Sequence, residues 1–240
     1  MYEKRLYRNR FKGANLQFFD VRVYETDLRI GAHKNLYNEA LTLVEKYRAQ
    51  LELYIRLSPE FLTSLEPIKA QPGAPYIAER MCEAAAKAGV GPMAAVAGAF
   101  SELVGKELLK FSDEIIVENG GDIFIKTDVT RKVGIFAGNS PLSEKIAIEI
   151  SPDRTPMGIC TSSGTIGHSL SFGKADAAVI LAKDTFLADA VATAVGNIAK
   201  TASDIGRAVE YASTIDGVEG AMVIIGETLG AWGDIKLVEY

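Results

Sequence analysis

Three short segments combine residue types that can hold an anion or a hard cation. In Glu118-Asn119-Gly120-Gly121-Asp122-Ile123 two glycines let the backbone come close to a ligand, with the Asn119 amide and the Asp122 carboxylate beside them. The same residues also spell a tight hairpin turn, so a bare turn is the competing reading. In Cys160-Thr161-Ser162-Ser163-Gly164-Thr165-Ile166-Gly167-His168-Ser169, consecutive hydroxyls and backbone amides around glycines can cradle a phosphate. His168, one of 2 histidines, could donate to that phosphate or act as acid or base; an incidental histidine in a polar loop is the alternative. In Leu187-Ala188-Asp189-Ala190-Val191-Ala192-Thr193, helical spacing puts Asp189 and Thr193 on one face beside Ala192 and Gly196. A carboxylate and a hydroxyl one turn apart suit magnesium or calcium, which prefer oxygen ligands. The competing reading is a solvated Asp near a neutral Thr, but such faces usually carry Lys and Glu, and this one is small.

A fourth segment, Gly89-Val90-Gly91-Pro92-Met93-Ala94-Ala95, places glycines ahead of a helix N-terminus, whose orphan amides favour an anion. Tight packing is the simpler use of its small residues and of Ala97-Gly98-Ala99 further on. Cys82 and Cys160 lie too far apart for metal-ligand spacing and read as reduced thiols. No residue stands out as catalytic.

The elements that must position these segments follow from periodicity. Residues 15–30 alternate as a strand pair about a turn at Glu25-Thr26-Asp27. Helical spacing predicts a long helix from about Ala32 to Leu57, then an irregular connection marked by Pro59, Pro67, Pro72 and Pro75. Two helices are expected next, Pro75–Ala88 ending at Gly89, and Pro92 to about Lys110. Strands are expected at Glu114–Glu118, Asp122–Lys126, Lys132–Phe136 and Lys145–Ile150, and a glycine-and-serine loop from Gly158 to Gly173. A strand at Ala177–Ala182, a helix at Thr185–Lys200 capped by Asp184, a short helix near Ser203–Ala212, and strands at Gly220–Ile225 and Ile235–Val238 complete the chain. Hairpins mixed with long helices make the fold class α+β, with no linker or clear repeat.

Composition narrows the function. With 48% apolar and 24% charged residues, the chain is ordinary for a globular enzyme or binding protein. A net charge of −5 argues against a nucleic-acid partner, and the basic stretch Lys4 to Lys12 reads as a solvated N-terminal strand. The most apolar run, Gly91 to Leu109, is interrupted by Ser101, Glu102 and Lys106, so it reads as a buried helix and not a membrane span. The N-terminus opens with charges and resembles no signal peptide, which makes a cytoplasmic protein the expectation. Small-residue helix faces leave a homo-oligomer open.

In order along the chain, these segments resemble the ApbE superfamily, whose best-known members are magnesium-dependent FAD:protein FMN transferases. Asn119-Gly120-Gly121-Asp122-Ile123 resembles that family's Gly-Gly-Asp turn, Thr161-Ser162-Ser163-Gly164 its phosphate-side loop with His168 after it, and Ala188-Asp189-Ala190-Val191-Ala192-Thr193 its Ala-Asp-Ala-x-x-Thr helix. The resemblance implies metal held by Asp189, Thr193 and a backbone carbonyl near Ala94. It implies a flavin nucleotide (FAD or FMN) or another phosphate-bearing small molecule against Asn119, Gly120, Gly121, Asp122, Thr161, Ser162, Ser163, Gly164 and His168. It also implies a duplicated α+β arrangement of mixed or antiparallel sheets against helices, a single domain over 1–240 whose halves would be about 1–125 and 126–240. Glu25-Thr26-Asp27-Leu28 and the run from Gly89 to Ala99 resemble a compact branch of the superfamily. Two departures bear on activity: Ala97-Gly98 stands where transferases carry Lys-Gly, and Ser169-Leu170-Ser171-Phe172 follows the histidine where they carry Ile-x-Asp-Pro. FMN transfer or FAD pyrophosphate cleavage is therefore one expectation. A non-transferase accessory protein of anaerobic sulfur assimilation that keeps the pocket is the alternative the branch implies.

Overall fold

The computed structural model describes residues 13, 15–164 and 173–240. Lys4 to Lys12, and Thr165 to Ser169 with His168, lie outside the described residues. The chain opens with an antiparallel pair, β1 (Gln17–Val23) and β2 (Thr26–Ala32). Helix α1 (Tyr37–Leu57) starts later than its periodicity predicts. Ala32 stays in β2, paired with Gln17 and Ile115, and the Asn35 side chain accepts the Tyr37 amide at 2.9 Å, a turn that delays the helix. A short α2 (Glu60–Thr63) lies within the proline segment. Helix α3 (Tyr76–Ala88) closes on Gly89 at φ 63°.

The helix expected from Pro92 is divided into a 3₁₀ turn, Pro92–Ala95, and α4 (Val96–Leu108). Then come β3 (Ile115–Asn119), β4 (Asp122–Lys126), β5 (Arg131–Gly134), β6 (Ile146–Ile150), β7 (Met157–Ser162) and β8 (Ala177–Ala182). They are followed by α5 (Thr185–Ile198), α6 (Ile205–Ser213), β9 (Val218–Ile225), β10 (Thr228–Gly233) and β11 (Leu237–Glu239). The start of the expected loop at 158–173, up to Ser162, is thus strand: β7 pairs with β4 on one side and β8 on the other. Asp184 caps α5 as its position predicts, accepting the Leu187 amide at 3.2 Å.

The fold is α+β with antiparallel sheets against helices. One sheet has eight strands in the order β1-β2-β3-β4-β7-β8-β9-β10, and a second has β11-β6-β5. Strand alternation gives the large sheet two apolar faces. Val117, Phe124, Cys160, Ile180 and Val223 point toward the helices, and Ile116, Ile125, Ile159, Val179 and Met222 toward the small sheet. The layers are therefore helices, large sheet, small sheet. The run from Gly91 to Leu109 is the buried helix its interruptions predict, with Ala95, Ala99, Phe100, Val104 and Leu108 in the helix-side core. No single helix among the described residues is long and apolar enough to cross a membrane.

Candidate functional site

The Asn119-Gly120-Gly121-Asp122 segment is a two-residue hairpin turn, with Asn119 opposite Asp122 and φ of 71° and 106° at the glycines. Both values lie in the left-handed region that glycine enters without steric cost, so the turn chemistry alone accounts for the pair. What lifts it above a bare turn is its docking. On β3, Asn119 shares the helix-facing side with Val117; on β4, Asp122 shares it with Phe124. Asn119 Nδ2 donates to the Ala97 carbonyl at 3.3 Å, and Ser101 Oγ donates to the Asp122 carbonyl at 2.8 Å. From the other side of the turn, Glu118 Oε1 accepts the Gly121 amide at 2.9 Å. The turn is seated on the first two turns of α4.

The neighbouring strand supplies the next group. Gly158, Cys160 and Ser162 of β7 face the helices, whereas Thr161 faces the other way, so the expected run of hydroxyls is split by strand alternation. Thr161 contributes its amide, which donates to Asp122 Oδ1 at 3.3 Å. Cys160 Sγ lies 3.6 Å from the Thr185 carbonyl and is fully buried. Ser162 Oγ is buried with no hydrogen-bond partner among the described residues. Beyond β7, the Gly164 amide donates to the Ala175 carbonyl ahead of β8, and the Lys174 amide donates to the carbonyl of Ala199, the C-cap of α5.

Asp189 completes the cluster. Gly98 sits so close to α5 that a Cβ there would stand 2.5 Å from the Thr185 carbonyl oxygen and 2.8 Å from Asp189 Cβ. At that approach the Gly98 amide donates to Asp189 Oδ2 at 2.7 Å, with the Ala97 amide also directed at the carboxylate. These are first-turn amides of α4, which has no side-chain cap of its own, so Asp189 caps α4 from another helix. The geometry has a second effect. In a continuous helix from Pro92, the Ala97 and Gly98 amides would serve the Ala94 carbonyl through i→i−3 and i→i−4 bonds. Both are turned onto Asp189 instead.

Asp122 and Asp189 are 7% and 8% exposed, and among the described residues neither pairs with a basic side chain. Burial lifts Asp189 from 3.8 to about 7 against the pull of the Gly98 and Ala97 amides. Burial, and then the Asp189 charge, push Asp122 well above the carboxylate range despite the Thr161 amide and the Cys160 thiol. Burial and the same two carboxylates push the Cys160 thiol well up, and burial raises Cys82 to about 11, so neither cysteine is a ready thiolate.

The structure thus brings together Asn119, Asp122, the Thr161 backbone and Asp189, with the Gly120-Gly121 turn at the edge of the group and Ser162 further along the helix-facing side of β7. Thr193 is half-buried one turn further along α5 on the Asp189 side, and Ala94 is half-buried in the 3₁₀ turn that packs on α5. Gly164 follows β7 and is bonded to Ala175 ahead of β8. Sequence reasoning missed Glu102, which is 3% exposed and accepts the Thr185 amide at 2.6 Å. Its signal in the sequence is an acid in the middle of an apolar helix, where burial demands a partner.

The chain also has recognisable relatives. The family model described as AbpE bacteria matches residues 8–226. A UPF0280 protein of Methanococcus aeolicus is 44% identical over 221 residues, covering 90% of this chain and 89% of the relative. Among solved structures, the apo flavinyl transferase ApbE of Pseudomonas stutzeri superposes with a TM-score of 0.53 at 13% identity, covering 90% of this chain and 94% of that one. The ApbE protein of Thermotoga maritima gives 0.56 at 13% identity, with 89% and 96% covered. At such identity the structural likeness speaks for the fold, and the sequence matches speak for the family. The chain belongs to the ApbE-like family described as AbpE bacteria and is a relative of the UPF0280 proteins.

Proposed function

We propose that the chain binds a flavin nucleotide, or another ligand bearing a pyrophosphate, together with a divalent metal at the junction of α4, α5 and the Gly120-Gly121 turn. The observation that carries this reading is the pair of buried carboxylates without a basic partner among the described residues, at the first turn of α4, whose amides are directed at Asp189. Asp189, the Thr193 hydroxyl and the Ala94 carbonyl form an all-oxygen donor set, which suits magnesium or calcium. A bound magnesium would neutralise pyrophosphate oxygens and ease departure of the leaving phosphate. The chain's own residues then have distinct tasks. Asn119 and Asp122 fix the turn on α4, the Ser162 hydroxyl, without a partner among the described residues, offers a hydrogen bond, and Ser163, Gly164 and His168 supply further phosphate contacts.

Ala97 in place of a lysine favours cleavage or binding over transfer. In hydrolysis, a water oxygen bonds to one phosphorus of FAD as the pyrophosphate P–O bond breaks, giving FMN and AMP. The test is calorimetric titration of the purified protein with FAD, with and without magnesium, followed by chromatography for FMN and AMP. Magnesium-dependent FAD binding that Asp189→Asn weakens at least about tenfold is the expected outcome. Absence of flavin binding under both conditions, or an Asp189→Asn variant that binds as the parent does, would overturn the reading.

A further inference from the structure

Each of the two central helices ends on a carboxylate carried by the other. Asp189, in the second turn of α5, accepts the Gly98 amide at the start of α4 at 2.7 Å. Glu102, in the second turn of α4, accepts the amide of Thr185, the first residue of α5, at 2.6 Å. Glu102 is itself held, since Lys106 Nζ lies 2.6 Å from its other oxygen while keeping its own side chain half in solvent. The helices meet at Gly98, whose missing side chain lets the Thr185 carbonyl and Asp189 Cβ into contact distance. The two capping bonds therefore lie on either side of one close helix crossing.

We infer that Glu102 is a positioning residue for Asp189: by fixing the Thr185 amide it sets where α5 begins, and so where the Asp189 carboxylate meets α4. The argument is geometric. Thr185 and Asp189 are one helical turn apart on the side of α5 that faces Gly98. A helix whose first residue is tied by a buried, charge-assisted hydrogen bond can neither slide nor rotate at that end without breaking it. Without Glu102 the Thr185 amide would lose its partner in a dry interface, and the first turn of α5 would have to move to find another. Asp184 is no substitute, because its side chain is taken by the Leu187 amide and by Arg80. That the Asp189 position matters to a ligand rests on the function proposed above; that Glu102 sets it does not.

Amide hydrogen exchange read by NMR tests the inference without a ligand. The reporter is the Gly98 amide, which bonds to Asp189 and not to Glu102, with the Ala212 amide in α6 as the control for global stability. In Glu102→Ala, Gly98 protection should fall by about tenfold more than that of Ala212. Glu102→Gln keeps an oxygen acceptor for Thr185 and should retain most of the Gly98 protection. If Glu102→Ala does not fold, Glu102→Asp carries the test: it keeps the charge for Lys106 but is a methylene too short for Thr185, and Gly98 should again lose protection selectively. Parallel loss at Gly98 and Ala212, or unchanged Gly98 protection, would overturn the inference. Magnesium titration of the same variants separates the two ideas, because a parent that binds no magnesium refutes the proposed function while the exchange result still decides on Glu102.

Discussion

At the scale of single residues, the site is governed by what stands beside each carboxylate. The small face of α5 around Asp189 was legible as a place of close approach, and the structure supplies the partner, Gly98, 91 positions away in sequence. No periodicity links those two residues, so the sequence could show that something packs there but not what. Gly98 also gives a sharp prediction. Alanine has the higher helix propensity by about 1 kcal/mol, which would favour Gly98→Ala in an isolated helix. Here the added Cβ would stand 2.5 Å from the Thr185 carbonyl oxygen, a backbone atom that no rotamer change can move. Overpacking of this kind costs about 1–3 kcal/mol, and the displaced amide would also lose Asp189. Urea denaturation should therefore find Gly98→Ala less stable by about 2 kcal/mol; a gain in stability would mean that the two helices separate freely at this point.

Among the elements, those with strong period and unambiguous ends were readable: α3 with its left-handed Gly89, the β3–β4 hairpin, and α5 with its Asp184 cap. Those whose identity depends on partners were not. Strand β7 contains Gly158, Cys160, Thr161 and Ser162, a composition that reads as loop, and it is strand because β4 and β8 pair with both its edges. Strand β10 was missed for the same reason, its two glycines hiding a segment that β9 templates. The small sheet is tied to the large one by another group that spacing cannot reveal. Glu114, just before β3, accepts Arg131 at 2.7 Å, Thr127 Oγ1 at 2.7 Å and Asn15 at 2.6 Å. Burial would raise its pKa, but these hydrogen bonds and the Arg131 charge win and hold it at about 2, against an ordinary 4.5. A depressed carboxylate stabilises the fold fully above its unfolded pKa, and that stability is lost as pH falls toward the folded value. The window is thus pH 4.5 down to about 2. At about 1.4 kcal/mol per unit, the parent should lose about 2 kcal/mol of stability from this group between pH 4.5 and 3. Glu114→Gln should remove that component, and urea midpoints for both proteins at pH 5 and pH 3 would measure it. Equal losses in the two proteins would show that Glu114 is not the group responsible.

Taken as a whole, the molecule places two apolar cores on opposite faces of one sheet. The α+β class was legible because hairpins and long helices alternate along the chain, but the third layer was not. That layer needs β5 and β6 to meet β11, whose Leu237–Glu239 pairs with Ile146–Ile148 across most of the C-terminal half of the chain. A shared sheet has an energetic consequence. Helix-side residues such as Phe124 and small-sheet-side residues such as Ile125 alternate along the same strand, so neither core can be lost while the other keeps its backing. Met81→Ala empties a fully buried position under the helices, and Ile148→Ala does the same under the small sheet. Each should cost about 2–5 kcal/mol. If the sheet couples the layers, both variants will lower one common transition seen alike by far-ultraviolet circular dichroism and by Trp232 fluorescence. Should Ile148→Ala instead produce an early step in circular dichroism that Trp232, on the helix-facing side of β10, does not follow, the small sheet would be an independently unfolding unit. The geometry of the candidate site on the helix side would then be insulated from it.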